Sequence, residues 1–158
     1  MSTTDTAIAA PVEAAPAMPR LSALVVAHNE EAQLADCLSR LNFADEIVVV
    51  LDRCTDRSRD IACEFTGNIV EGAWEREGPR RNTGIAACHG EWIVEIDADE
   101  RVSPELAAEI RAAAEHSQAD WHLIPIDNYI GNRLVRWGWG ASFGRSAHAG
   151  LFRKDAKR

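Results

Sequence analysis

Three short, almost unbroken apolar runs constrain the fold more than any other feature: Leu21–Ala27, the segment 46–51 and the segment 92–96. Strands of a parallel sheet read this way because helices cover both of their faces. Between the runs, apolar residues recur at helical spacing. Leu34, Cys37, Leu38 and Leu41 define a first helix, and Ile61, Ala62 and Phe65 the inner face of a second. Asn29 reads as the N-cap of the first, with Glu30 and Glu31 in its first turn. Residues 80–89 can form a third helix with Gly90 at its C′ position. Ser103 and Pro104 open a fourth, in which Leu106, Ala107, Ile110 and Ala113 face inward. Further strands are expected at 68–70, 121–126 and 151–153.

The resulting alternation of strands and helices predicts an α/β, Rossmann-like fold: a mainly parallel sheet with helices on both faces. Right-handed crossovers then gather the strand-to-helix loops at one sheet edge. Those loops carry Asn29 and Glu30, Asp52, and the pair Asp97 and Asp99. On an extended segment, residues two apart share a face. Asp97 and Asp99 can therefore converge on one target, where ligands of open α/β sheets bind. Hard carboxylate oxygens suit Mg²⁺ or Mn²⁺ held through one or two carboxylates and the phosphates of a substrate.

A net charge of −8 argues against nucleic acid as a partner. The four cysteines form no Cys-x-x-Cys pair and read as reduced packing thiols rather than a zinc site. Residues 1–20 are rich in Ala, Pro and Thr and read as a disordered tail, without the positive start and apolar core of a secretory signal. No stretch is long and apolar enough for a spanning helix. The late residues Arg133, Arg136, Arg145, Arg153, Lys154, Lys157 and Arg158 make a basic stretch that suits either solvent or an anionic membrane surface.

Four blocks, in order, resemble the family 2 glycosyltransferases: 26–31 (Val-Ala-His-Asn-Glu-Glu), 49–58 (Val-Val-Leu-Asp, then Thr-Asp-Arg-Ser), 81–84 (Arg-Asn-Thr-Gly) and 96–100 (Ile-Asp-Ala-Asp-Glu). A looser match continues through 128–133 and 138–140 to 151–154 and is similar to the branch that builds lipopolysaccharide core and related envelope glycans. The resemblance implies the GT-A nucleotide-diphospho-sugar transferase fold over residues 21–158, with an incomplete acceptor half. It also implies inverting sugar transfer from a nucleotide-diphosphate donor, UDP being the commonest, to a glycan or lipid-linked acceptor. The expected location is cytoplasmic, at the inner face of the membrane.

Site roles implied by the resemblance follow block by block. Ala27 and Glu30 contact the nucleotide, with Asn29 beside them. Asp52 hydrogen-bonds the base or ribose, and Arg80 or Arg81 meets phosphate. Asp97 reaches the ribose and Asp99 the divalent metal, Mg²⁺ or Mn²⁺. Where many relatives have a second acid or a serine after the Asp52 position, this chain has Arg53 and Cys54. Trp137 and Trp139 could stack on an acceptor sugar or pack in the core. The late acids Asp127 and Asp155 are available as a base, although neither sits in a matched block, and Asp127 reads as a strand-end turn. Glu100 reads as an exposed turn residue, His28 as a hydrogen-bonded loop histidine and His148 as a conceivable late metal ligand. Two other readings stand beside this one: a nucleotide-sugar-binding fragment without catalysis, and a sugar-phosphate nucleotidyltransferase. The absence of glycine in 27–30 argues against the second.

Overall fold

In the computed structural model, which describes residues 20–131, 133–135 and 147–156, the apolar runs become the centre of a six-stranded sheet. The strands are β1 (Leu21–Ala27), β2 (Glu46–Asp52), β3 (Ile69–Gly72), β4 (Trp92–Asp97), β5 (Trp121–Pro125) and β8 (Ala147–Arg153). A separate hairpin joins β6 (Tyr129–Ile130) to β7 (Arg133–Leu134). The helices are α1 (Leu34–Ser39), α2 (Ser58–Phe65), α3 (Glu77–Ala87) and α4 (Pro104–His116). Trp137, Trp139 and most of the expected N-terminal tail lie outside the described residues.

Sheet order is β3-β2-β1-β4-β8-β5. The first four strands are mutually parallel, as the apolar runs predict. The last two break the simple alternation, because β8 inserts between β4 and β5 and is antiparallel to both. The expected 151–153 strand is therefore the end of an interior strand that starts at Ala147. Half-buried Ala147 and His148 and exposed Ala149 precede Leu151 and Phe152, which are buried, and hide the apolar signal until that point.

Alternation along β1 splits the core between two faces. Leu21, Ala23 and Val25 pack with Leu34, Leu38, Ile61, Ala62 and Ile110, so α1, α2 and α4 cover one side. Leu24, Val48, Val50 and Ile93 pack with Ile85 and Cys88 on the α3 side. Connections of constant hand account for α1, α2 and α3: the chain steps outward from β1 to β3, then crosses back to β4, and the helix changes face. Burial pushes the Cys37 and Cys88 thiols up to about 12, so both are packing groups, and none of the four cysteines is in a disulfide.

Local expectations fail in three places for identifiable reasons. Phe65 lies at the end of α2 and is exposed rather than on its inner face. Helix α1 starts at Leu34, not after Asn29, and ends at Ser39. Asn29 takes the left-handed conformation, φ 56°, and does not cap it. Gly90 is not a left-handed C′ residue either. Helix α3 ends at an extended Cys88, and Gly90 is instead buried where a Cβ would lie 2.7 Å from Ser22 N and 2.9 Å from Trp92 O.

The N-terminal ends of β1, β2 and β4 are pinned by one carboxylate. Glu46 accepts from Ser22 Oγ at 2.5 Å, from His89 N at 2.8 Å and from Asn68 Nδ2 at 3.2 Å, and its Oε1 lies 2.6 Å from His89 Nδ1. Ser22 Oγ in turn accepts from Gly90 N at 2.8 Å. Late basic residues close the same end. Arg153 lies over the Trp92 ring, 4.7 Å from its centroid, and pairs with Glu91, while Lys154 donates to Cys88 O. These two cations are spent inside the fold.

Two stability predictions follow from this end of the sheet. Gly90→Ala forces a methyl onto backbone atoms and should cost about 1–3 kcal/mol in urea unfolding. As a control away from this end, Gly78→Ala on α3, with nothing within 4 Å of its Cβ, should be neutral or slightly stabilising. Burial alone would raise the pKa of Glu46, but donation from His89 N–H and Ser22 hydroxyl outweighs it and holds the carboxyl below its ordinary 4.5. The stability it contributes is therefore present above 4.5 and lost as pH falls through the lowered value. Glu46→Gln should destabilise by about 1–3 kcal/mol at pH 7, and the gap to wild type should shrink in unfolding curves taken at pH 3.

Candidate functional site

The parallel register sets three strand ends level. Ala27 pairs with Leu51, so Asp52 stands one residue past it, and Val26 pairs with Asp97. The end of β1 is also the topological switch point of the sheet, with β2 leaving on one side and β4 on the other. A crevice opens at such a point. Asp52, Asp97 and the loop from 28 to 31 therefore share one rim, as the crossover argument predicts.

Asp52 and Asp97 lie on the face covered by α3, which brings two adjacent arginines over the end of β1. Arg80 Nη1 donates to Asp52 Oδ2 at 3.0 Å, and Arg81 Nη2 to Asp97 Oδ1 at 3.0 Å. The two side chains thus reach opposite sides of β1. Arg81 also donates from Nε to Glu77 at 2.7 Å, and its Nη1 lies 3.8 Å from the buried Glu95. Both arginines keep only about a quarter of their side-chain surface exposed.

Asp52 is 2% exposed and fully engaged. Its Oδ1 accepts from Trp74 N at 3.2 Å and from Arg53 Nε at 3.0 Å, and its Oδ2 from Arg53 Nη2 at 3.3 Å as well as Arg80. Burial would push its pKa up, but the Trp74 N–H and the two guanidinium groups hold the carboxyl below its ordinary value. It is an anion at neutral pH.

The loops after β1 and β2 are stitched to each other. Asn29 Oδ1 accepts from Thr55 N at 2.8 Å, Ser58 Oγ from Glu30 N at 2.9 Å, and Asp56 Oδ2 from Glu31 N at 2.9 Å. Glu31 returns the contact by accepting from Arg57 N at 3.0 Å. His28 Nδ1 sits 2.5 Å from Asp52 O, the hydrogen-bonded loop histidine the sequence suggests. Asn29 thus serves the second loop rather than the first helix: its short amide tolerates φ > 0 and reaches across.

Beyond Asp97 the chain leaves the strand at once. Glu100 N donates to Asp97 O at 2.9 Å, and Asp97 N donates to Glu100 Oε2 at 3.1 Å, closing a tight turn. Asp99 is therefore in the turn, not on an extended segment sharing Asp97's face, and its exposure comes from the turn. Glu100 is half-buried rather than the exposed residue expected. Burial raises its carboxyl above the ordinary value, and the neighbouring Asp97 and Asp99 charges push the same way against the Asp97 N–H.

This donor set fits a hard divalent cation in a particular way. Among the described residues no group of three or more His, Cys, Asp or Glu side chains is arranged to hold a metal. Asp99 and the outward side of Asp97 supply exposed carboxylate oxygens, and two carboxylates match a cation whose remaining ligands come from phosphates and water. The late acids separate cleanly. β5 runs parallel to β4, so Asp127, just past its end, lies toward the rim, whereas Asp155 follows Arg153, which pairs with Trp92 at the opposite end. Arg53, Trp74, Glu77, Glu95 and Glu100 are the participants that sequence reasoning missed. Of these, Glu95 carried a signal, since it shares Asp97's side of the strand.

Comparison with known proteins agrees with this geometry. The model of Glycosyl transferase family 2 matches residues 22–154. An uncharacterized glycosyltransferase of Rickettsia typhi is 31% identical over 103 residues, 64% of this chain and 35% of that protein. The putative glycosyltransferase EpsH of Bacillus subtilis is 31% identical over 105 residues, covering 61% and 30% respectively. The chain spans about a third of the length of the curated relatives it matches. Among solved structures, S. aureus TarS 1-349 in complex with UDP-GlcNAc superposes with a TM-score of 0.60 at 19% identity, over 85% of this chain and 45% of that one. Glucosyl-3-phosphoglycerate synthase from Mycobacterium tuberculosis, in complex with Mn²⁺, UDP and glucosyl-3-phosphoglycerate, gives 0.57 at 19% identity over 68% and 43%. These likenesses establish the fold, the GT-A architecture expected from the four blocks. With the family model covering most of its length, the chain belongs to glycosyl transferase family 2.

Proposed function

We propose that this chain binds a nucleotide-diphosphate sugar, a UDP-sugar first, at the rim of β2, β1 and β4, for inverting transfer of the sugar to a glycan or lipid-linked acceptor. The observation that carries this reading is the gathering of Asp52, Arg80, Arg81, Asp97 and Asp99 at one sheet edge from three separated stretches of sequence. The neighbours solved with UDP-GlcNAc and with UDP and Mn²⁺ share the fold and support the donor class.

In this reading Ala27, Asn29 and Glu30 form the wall of the first loop, and Asp52 accepts from the base or ribose. Arg80 and Arg81 lie under the diphosphate, where a fork of N–H donors matches phosphate oxygens. Asp97 orients the ribose, and Asp99 holds Mg²⁺ or Mn²⁺. When bound, that cation supplies Lewis-acid stabilisation of the departing diphosphate. Arg81, with a quarter of its side chain exposed, adds positive charge beside the departing diphosphate. Asp127 is the carboxylate available toward the acceptor side to accept a hydroxyl proton. Trp137 and Trp139 remain candidates for stacking against the acceptor. Envelope polysaccharide is the acceptor class, and the location is cytoplasmic at the inner face of the membrane. Among the described residues no helix is long and apolar enough to cross a bilayer. In this reading contact with the membrane is peripheral.

Because Asp99, even with help from Asp97, cannot complete the shell of a cation, metal and nucleotide should bind together. Calorimetric titration should show UDP binding strengthened at least about ten-fold by Mn²⁺, with Mn²⁺ alone binding weakly. Asp99→Ala should erase the metal-dependent part and leave the metal-free part intact. Binding of UDP that is indifferent to Mn²⁺, or an unaltered Asp99→Ala variant, would contradict the reading.

A further inference from the structure

Arg53 is the residue the site does not yet explain. It follows Asp52 directly, and its backbone sits at φ 51°, a left-handed conformation that costs a non-glycine residue about 1 kcal/mol or more. Two contacts hold it there. Its N–H donates to Gly72 O at 2.9 Å, and its guanidinium folds back onto the preceding side chain through Nε and Nη2.

Counting acceptor sites shows what this does. A carboxylate offers about four lone-pair positions. Asp52 receives four donors: Trp74 N, Arg80 Nη1 and two from Arg53. No position is left for the N–H of a base or the hydroxyl of a ribose. Of the donors, Trp74 N is backbone, and Arg80 is carried on α3 with 23% of its side-chain surface exposed. Arg53 is 55% exposed and, with Thr55, Arg59, Asp60 and Glu71, lines an open cavity of about 470 Å³. It alone of the three has somewhere to go.

We propose that Arg53 is an affinity-determining residue that occupies the Asp52 carboxylate in the free protein and is displaced by the incoming nucleoside. The proposal rests on Asp52 as the nucleoside acceptor. In place of an open acceptor, the site has an internal ligand that the donor must exchange. Two N–H···O contacts are broken and replaced by contacts from the ligand, and the freed guanidinium turns toward the cavity beside it. The exchange sets a threshold: a ligand that offers Asp52 no good donor leaves Arg53 in place.

The full chain, titrated with UDP in Mn²⁺, tests this. Arg53→Gly removes the competitor and suits the left-handed backbone, so it should bind UDP about five-fold more tightly than wild type, the scale of an exposed ion pair. Arg53→Lys, a point charge without the fork, should fall between the two. Weaker or unchanged binding in Arg53→Gly overturns the proposal. Asp52→Asn separates the two levels. If it binds UDP as well as wild type, the nucleoside role of Asp52 fails and the proposal falls with it; if it weakens binding while Arg53→Gly changes nothing, only the Arg53 proposal fails. A second readout needs no variant. The Arg53 Nε–H resonance should be protected from exchange in the free protein and lose that protection at saturating UDP; protection that persists overturns displacement.

Discussion

Parallel pairing of β2, β1 and β4 in one register is the constraint on which the site depends. Because neighbouring strands are offset by fixed hydrogen-bond geometry, the side chains that end them emerge level. The apolar runs enforce this register through burial on both faces: a slip of one residue would move Leu24, Val48 and Val50 to the wrong layer. The same alternation that buries Val50 places Asp52 on the α3 side, and the one that buries Ile93 places Glu95 and Asp97 there. Packing and chemistry are therefore specified by a single pattern. Gly84 completes it, since a Cβ at that point of α3 would lie 2.6 Å from Leu24 Cδ1, and its absence lets the helix lie close enough for Arg80 and Arg81 to reach the rim.

Charge balance lets this rim take the proposed anionic ligand without being a basic patch. Asp52 and Glu95 are buried carboxylates, and buried charge is tolerated only when paired. Arg80 and Arg81 provide the pairing while still lying at the crevice. On the proposed function, a diphosphate arriving there would meet guanidinium groups already fixed in place, so little ordering would be required on binding. The overall charge of −8 is thus no obstacle to an anionic ligand. The proposed binding would be local, and the long-range field contributes little across a Debye length of about 8 Å.

The sequence made the central strands, the two-sided packing and the rim acids readable because each rests on short-range periodicity. Trp92–Asp97 announces a strand end by itself, and Asp52 does the same for β2. Three kinds of feature stayed hidden. β8 joins the sheet between strands that precede it by more than twenty residues, a pairing no local window contains. Asn29 has good capping chemistry, but its side chain is taken by Thr55 N in another loop, and the competition is decided by tertiary contact. Arg53 and Glu100 look like solvated charges from their neighbours in sequence. Their partners, Asp52 and the Asp97 amide, are close by, yet only the turn geometry shows that they fold back.

The account stands on one rim that gathers a nucleoside diphosphate and a cation, and Mn²⁺ itself can report on it. Paramagnetic broadening of backbone amides, recorded with Mn²⁺ and UDP together, should be concentrated at residues 27–30, 52–54, 80–81 and 97–100. The Glu46, His89 and Gly90 amides at the opposite end of the sheet should stay sharp. Broadening centred at that opposite end, or scattered without focus over the acidic surface, would contradict it.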